Sequence, residues 1–127
     1  MAGMDRLAAS GGPVVTGFSA GGFMAEGAVH PALLLTPERA YPWSPPPVAD
    51  LAAEDFAQLL ALQPLPEFIL LGTGARLVFP PRRLVADLDE RGIGVEAMDS
   101  RAAARTWGLL RAEERWIAAA LMPFAEG

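Results

Sequence analysis

Apolar residues run unbroken from Phe68 to Leu71 and stop at Gly72. So short a run suits a strand buried on both faces, in mid-sheet, better than a helix. Downstream the period changes: Leu84, Val85 and Leu88 fall on one side of a helix, while Arg83, Asp87, Glu90 and Arg91 fall on the watered side. Pro80 and Pro81 suit the first turn of that helix, where an N-H group would lack an internal partner anyway. Gly92 suits its stop, because glycine enters the left-handed region without a Cβ clash. Val95 to Met98 reads as a second strand. Residues 67–99 thus form a β-α-β unit with a right-handed crossover, and the rest of the chain is organised around it.

Upstream the pattern is that of strands. Val14 to Phe18 begins the ordered part, Phe23 to His30 suits a hairpin about Gly27, and Ala32 to Leu35 is a further apolar run. Thr36 to Arg39 forms the turn after it, and Pro42 marks Tyr41 to Trp43 as an edge strand. Ser44 to Pro47 is an extended connector, too short to hold separate domains apart. Asp50 then caps a helix through about Leu62, which buries Phe56 and Leu60. Downstream of the central unit, Asp99 or Ser100 caps a last helix to about Leu110, with Ala103, Trp107 and Leu110 inward. Trp116 to Met122 is the closing strand, ended by Pro123. The expectation is one three-layer α/β domain over 14–127, with a mixed central sheet, antiparallel N-terminal strands and a β-α-β-α-β C-terminal half. Residues 1–13 have the small, Gly-rich composition of a frayed terminus.

Composition narrows the chemistry. The 127 residues suffice for one domain that buries roughly two-thirds of its unfolded surface. There is no cysteine, which removes disulfides, thiol nucleophiles and iron-sulfur ligation. All 10 basic residues are arginine, so Schiff-base lysines and the phosphate-loop lysine are absent too. A net charge of -5 disfavours nucleic acid as a partner. No stretch is apolar enough to insert in a membrane and no secretory leader is visible at the start, so the expected location is cytoplasmic.

In parallel α/β sheets, ligands bind beyond the C-terminal strand ends. Gly72-Thr73-Gly74 and Asp99-Ser100 are expected to share that rim, with Arg76, Arg105 and Thr106 near in sequence. Gly-Thr-Gly lets backbone N-H groups approach an anion. The candidate ligand site therefore comprises Gly72, Thr73, Gly74, Arg76, Asp99, Arg105 and Thr106. A plain tight turn explains the same glycines and takes precedence. A dinucleotide fingerprint is not met, since the third glycine is missing and Leu77-Val78-Phe79 looks extended. His30 stands alone, Ser19 and Ser100 are not in nucleophile elbows, and Glu96 and Asp99 point to opposite faces. No catalytic residue, metal ligand or cofactor is assigned, and the reading leans away from an enzyme. Arg101 and Arg105 repel mildly at i and i+4; a simple solvated face takes precedence, and Asp87, Asp89 and Glu90, an anionic ligand or a partner protein are the candidates to compensate. Tyr41 and Trp43 form either an exposed aromatic patch or packing under the proline-rich connector.

Phe-Ile-Leu-Leu-Gly-Thr-Gly (68–74), Phe-Pro-Pro (79–81), Gly-Ile-Gly-Val-Glu-Ala-Met-Asp (92–99), Ala-Arg-Thr-Trp (104–107) and Ile-Ala-Ala-Ala-Leu (117–121) carry a resemblance. With Gly21 to Phe23, Leu33 to Leu35 and Trp43, the chain from Val14 onward resembles a small domain of unknown function. That domain is shared by bacterial proteins, the adipogenesis-associated domain protein and mitochondrial respiratory complex I assembly factor 3. The resemblance implies a three-layer α/β fold with a mixed sheet and no established activity. Ala104 stands where the family often has cysteine, so a thiol role there is lost. Trp107 and Gly108 replace common Tyr and Asn, and Ala52 a frequent capping Thr. The resemblance implies a non-enzymatic binding or assembly-factor role through a protein partner; self-association stays open.

Overall fold

The computed structural model of the chain describes residues 12–124. Of the frayed terminus expected over 1–13, all but Gly12 and Pro13 lies outside those residues. Gly17–Ser19 (β1), Gly22–Ala25 (β2) and Ala28–His30 (β3) pair antiparallel in a small sheet, with the expected hairpin turning at Glu26 and Gly27. Leu33–Leu35 (β4) and Ala40–Pro42 (β5) pair antiparallel across a turn. There the Thr36 hydroxyl accepts N-H bonds from Glu38 at 3.1 Å and Arg39 at 3.0 Å, the side-chain bond that favours Thr in turns.

The helix expected from Asp50 to Leu62 is broken. Val48–Asp50 and Ala53–Phe56 are separate 3-10 turns, and Ala57–Leu60 (α1) is a single α-turn. On one continuous helix Leu51 and Phe56 would lie about 140° apart. The break brings both into the core, together with Leu59 rather than the expected Leu60. The capping carboxylate is Asp55, not Asp50, and it accepts from the Ala52 N-H at 2.8 Å.

Phe68–Gly72 (β6), Arg82–Glu90 (α2), Gly94–Met98 (β7), Ser100–Ala112 (α3) and Ala118–Leu121 (β8) complete the chain. Pro81 sits one step ahead of the first turn, as N-cap of α2, with its carbonyl accepting from Leu84 and Val85. The large sheet runs β5-β4-β8-β6-β7. β6 is parallel to both β7 and β8, and β4 is antiparallel to β8. The mixed sheet with antiparallel N-terminal strands is thus as expected, but β8 lies at its centre and the first three strands form a sheet of their own.

Alternation along β6 divides the core. Leu70 packs with Trp107, Ala103 and Ala104 of α3 and with Phe23 and Ala25 of the small sheet. Ile69 and Leu71 pack on the other face with Leu84 and Leu88 of α2 and with Leu51, Phe56 and Leu59. Two hydrophobic layers therefore flank the sheet. Trp107 is wholly buried, and its indole N-H donates to the Pro13 carbonyl at 2.9 Å, which ties the start of the described chain to α3. Truncating such a side chain costs about 3–5 kcal/mol. Trp43 is packing too: it lies against Phe56 and donates to the Asp55 carbonyl at 3.1 Å.

Because α2 and α3 cover opposite faces, Asp87, Asp89 and Glu90 do not compensate Arg101 and Arg105. The Arg101 guanidinium instead lies 4.3 Å over the Phe124 ring, whose π face attracts a cation.

Candidate functional site

β6 and β7 are parallel and in register, so their C-terminal ends, Gly72 and Met98, bring the following loops to one rim. The predicted residues Gly72, Thr73, Gly74 and Asp99 gather there. A Cβ on Gly72 would stand 2.7 Å from Ser100 Cα, so only glycine lets the strand end pass this close to the start of α3. Gly74 carries φ +116, a conformation L side chains rarely adopt. Its N-H donates to Ser100 Oγ at 2.8 Å, and its carbonyl accepts the Ser100 N-H at 2.8 Å.

Ser100, absent from the candidate set, is the hub of the rim. It is fully buried, and its hydroxyl donates to the Met122 carbonyl at 2.7 Å while accepting from Gly74, which links three loops. Its partners lie 26 and 22 residues away, so no signal within 99–106 marks it. Thr73 is buried as well; its N-H donates to the Met98 carbonyl at 2.9 Å and its hydroxyl accepts from the Val78 N-H at 2.9 Å. The same hydroxyl has the Arg76 carbonyl at 2.8 Å as its acceptor. Asp99 caps α3 through the Ala102 N-H at 2.9 Å.

The remaining candidates are placed differently. The Thr106 hydroxyl lies 3.6 Å from the Met98 sulfur, and Arg76 and Arg105 are exposed. The ion pair among the described residues is Arg115 with Glu67, at 2.8 Å. The hydrogen bond from Arg115 to Glu67, and then that carboxylate's charge, raise the Arg115 pKa above its ordinary value. The guanidinium is charged throughout the neutral range in either case. No group of three or more His, Asp or Glu side chains converges on a common point among the described residues. No described helix is long and apolar enough to cross a membrane.

The outer side of β7 has the opposite character. β7 ends the sheet, so one side of its backbone lacks a strand partner among the described residues. Gly94 donates to the Glu67 carbonyl at 3.3 Å, and Met98 accepts from Thr73 at 2.9 Å, so Gly94, Glu96 and Met98 face β6. Val95 and Ala97 therefore turn both N-H and C=O outward. Their side chains line a groove of ≈ 720 Å³ against Phe79, Val85 and Ala86, with Arg82 and Asp89 adding one charge of each sign. Val85, expected on the buried side of α2, is 37% exposed here, and Phe79 is 81% exposed. These residues adjoin Leu77 and Val78, also exposed, in a contiguous apolar stretch.

Residues 15–122 match the family model described as "Protein of unknown function (DUF498/DUF598)". The chain belongs to the DUF498/DUF598 family. A zebrafish relative (Danio rerio), named NADH dehydrogenase [ubiquinone] 1 alpha subcomplex assembly factor 3, is 34% identical over 116 residues, which are 91% of this chain and 67% of that protein. An uncharacterized protein of Rhodobacter capsulatus is 34% identical over 110 residues, 86% of this chain and 83% of its own. A crystal structure of a Bordetella parapertussis protein superposes with a TM-score of 0.77 at 36% identity, covering 87% of this chain and 95% of the other. The DUF498/DUF598 match begins two residues after Pro13, the partner of Trp107, and ends at Met122, the acceptor of the Ser100 hydroxyl. It therefore takes in the rim and the open strand alike.

Proposed function

We propose that this DUF498/DUF598 domain is a non-enzymatic, assembly-factor-like module that binds a protein partner in the cytoplasm of a bacterial cell, with residues 14–127 as its single working unit. The likeness to a protein named as an assembly factor over 91% of the chain carries the reading. An exposed apolar stretch beside an unpaired strand supports it, since protein-binding surfaces have that composition. A shared fold carries architecture further than function, so the partner's identity is left to experiment. Affinity capture with the full chain as bait tests the reading. A single protein co-purifying in fixed ratio through a salt wash and a sizing column is the expected result; elution of the chain alone contradicts it.

The alternative is a small-molecule or anion site at the rim of Gly72, Thr73, Gly74, Arg76, Asp99, Arg105 and Thr106. It is favoured only by the exposure of Arg76 and Arg105, because the N-H groups of Thr73, Gly74 and Ser100 are already bonded inside the fold. An anion-dependent rise in melting temperature that Arg105→Ala abolishes would support that alternative.

A further inference from the structure

Three features meet at β7. Val95 and Ala97 present backbone groups that no strand among the described residues pairs, and the α2 face beside them is an apolar groove with Phe79 standing out of it. Glu96, between the two open residues, points by strand alternation to the α3 face, the face on which Met98 packs. It is exposed, and no ion pair joins it to another described residue. We propose that β7 is a docking edge whose occupant is an extended segment of a partner protein. That segment runs antiparallel to β7, sets apolar side chains toward the groove and carries an arginine or lysine opposite Glu96. This rests on the protein-binding reading and gives it a surface and a chemistry.

The register follows from the backbone. Val95 and Ala97 hold the outward donors and acceptors, so they form the hydrogen-bonded pairs of an added antiparallel ladder. Glu96 then falls in the non-hydrogen-bonded pair between them, where facing Cα atoms come closest, at about 4.5 Å. Opposite charges across such a pair stabilise it, and like charges directly opposite destabilise it. That argues against a second copy of the chain as occupant. Full antiparallel overlap of two β7 strands sets Glu96 against its own copy, and a two-residue slip that avoids this shortens the pairing of a five-residue strand. The net charge of -5 adds repulsion between copies and attraction for a basic segment.

The probe is a five-residue peptide, acetylated and amidated, with a central lysine, an isoleucine on each side of it and a threonine at each end. In this register the isoleucines fall on the groove side. Titrated into the full isotope-labelled chain, it should shift the resonances of residues 94–98, Phe79 and Val85. Glu96→Lys should weaken its binding at least tenfold, and a glutamate-centred peptide should recover binding on that variant. Ala97→Pro removes one outward N-H without breaking a bond to β6, and it should weaken both peptides. The same variants are then used as bait for the captured partner.

Loss of the partner from both variants, with the charge swap seen in the peptides, supports the docking edge. Equal affinity of the lysine- and glutamate-centred peptides, shifts centred elsewhere, or partner capture unaffected by either variant overturns it while leaving the protein-binding reading intact. A native chain that captures nothing overturns both. A concentration-dependent dimer that Glu96→Lys strengthens would identify a second copy as the occupant and overturn the heterologous assignment.

Discussion

The rim and the outer side of β7 share one strand and differ in what their backbone has to bond to. At the rim, Thr73, Gly74 and Ser100 bond to Met98, Ser100 and Gly74 in turn, and the Ser100 hydroxyl reaches across to Met122. Along the outer side, Val95 and Ala97 have no strand among the described residues to bond to, and the apolar groups beside them face water. The glycine-rich, polar-looking stretch therefore has its backbone groups bonded inside the fold, whereas the plainer strand has outward groups that no described strand meets. Motif chemistry draws the eye to the first, whereas unpaired backbone beside exposed apolar area marks the second.

The rim tolerates substitution least at Gly72. Gly72→Val drives a branched side chain into the Ser100 backbone, so chemical denaturation should show a loss of about 3 kcal/mol or more. Ser100→Ala leaves the Gly74 N-H and the Met122 carbonyl buried without their partner, and the same measurement should lose about 2–3 kcal/mol. If either variant folds, its partner binding should be reduced only in proportion to the unfolded fraction.

On the other side of the comparison, Phe79→Ser should change stability by no more than about 0.5 kcal/mol while weakening partner binding about tenfold in a calorimetric titration. A large stability loss there would mean that Phe79 packs at home rather than against a partner. The smallest effect belongs to Glu67→Gln. Its partner Arg115 has a raised pKa in the folded state, so the stability from this pair is fully present below the unfolded pKa and is lost only as pH rises through the folded one. Both lie far above neutrality, so the small loss in melting temperature from removing this exposed pair should be the same at pH 6 and at pH 8.

Much of this was legible in the sequence, for reasons that are local. β6, α2 and β7 each announce themselves by one period bounded by proline or glycine, and their parallel pairing follows from the helix between them. The shared rim followed as well, because parallel strands must end on the same side. What stayed hidden depends on residues distant in sequence. Ala118–Leu121 reads as a strand, but nothing in it says that it pairs with β4 on one side and β6 on the other.

That placement brings Met122 to Ser100, so the hub of the rim could not be read from 99–106 alone. It also leaves β7 at the edge, and so the open backbone of Val95 and Ala97 was not visible either. The break between Asp50 and Phe56 is of the same kind: local capping favours one helix, and two core contacts pull it into separate turns.

Amide hydrogen exchange, read residue by residue on the free chain and on the captured complex, tests the open-edge claim most directly. Free, the Val95 and Ala97 amides should exchange quickly while Glu96 and Met98, facing β6, are protected; in the complex Val95 and Ala97 should become protected as well. Unchanged exchange at both residues in a complex that forms would contradict the account.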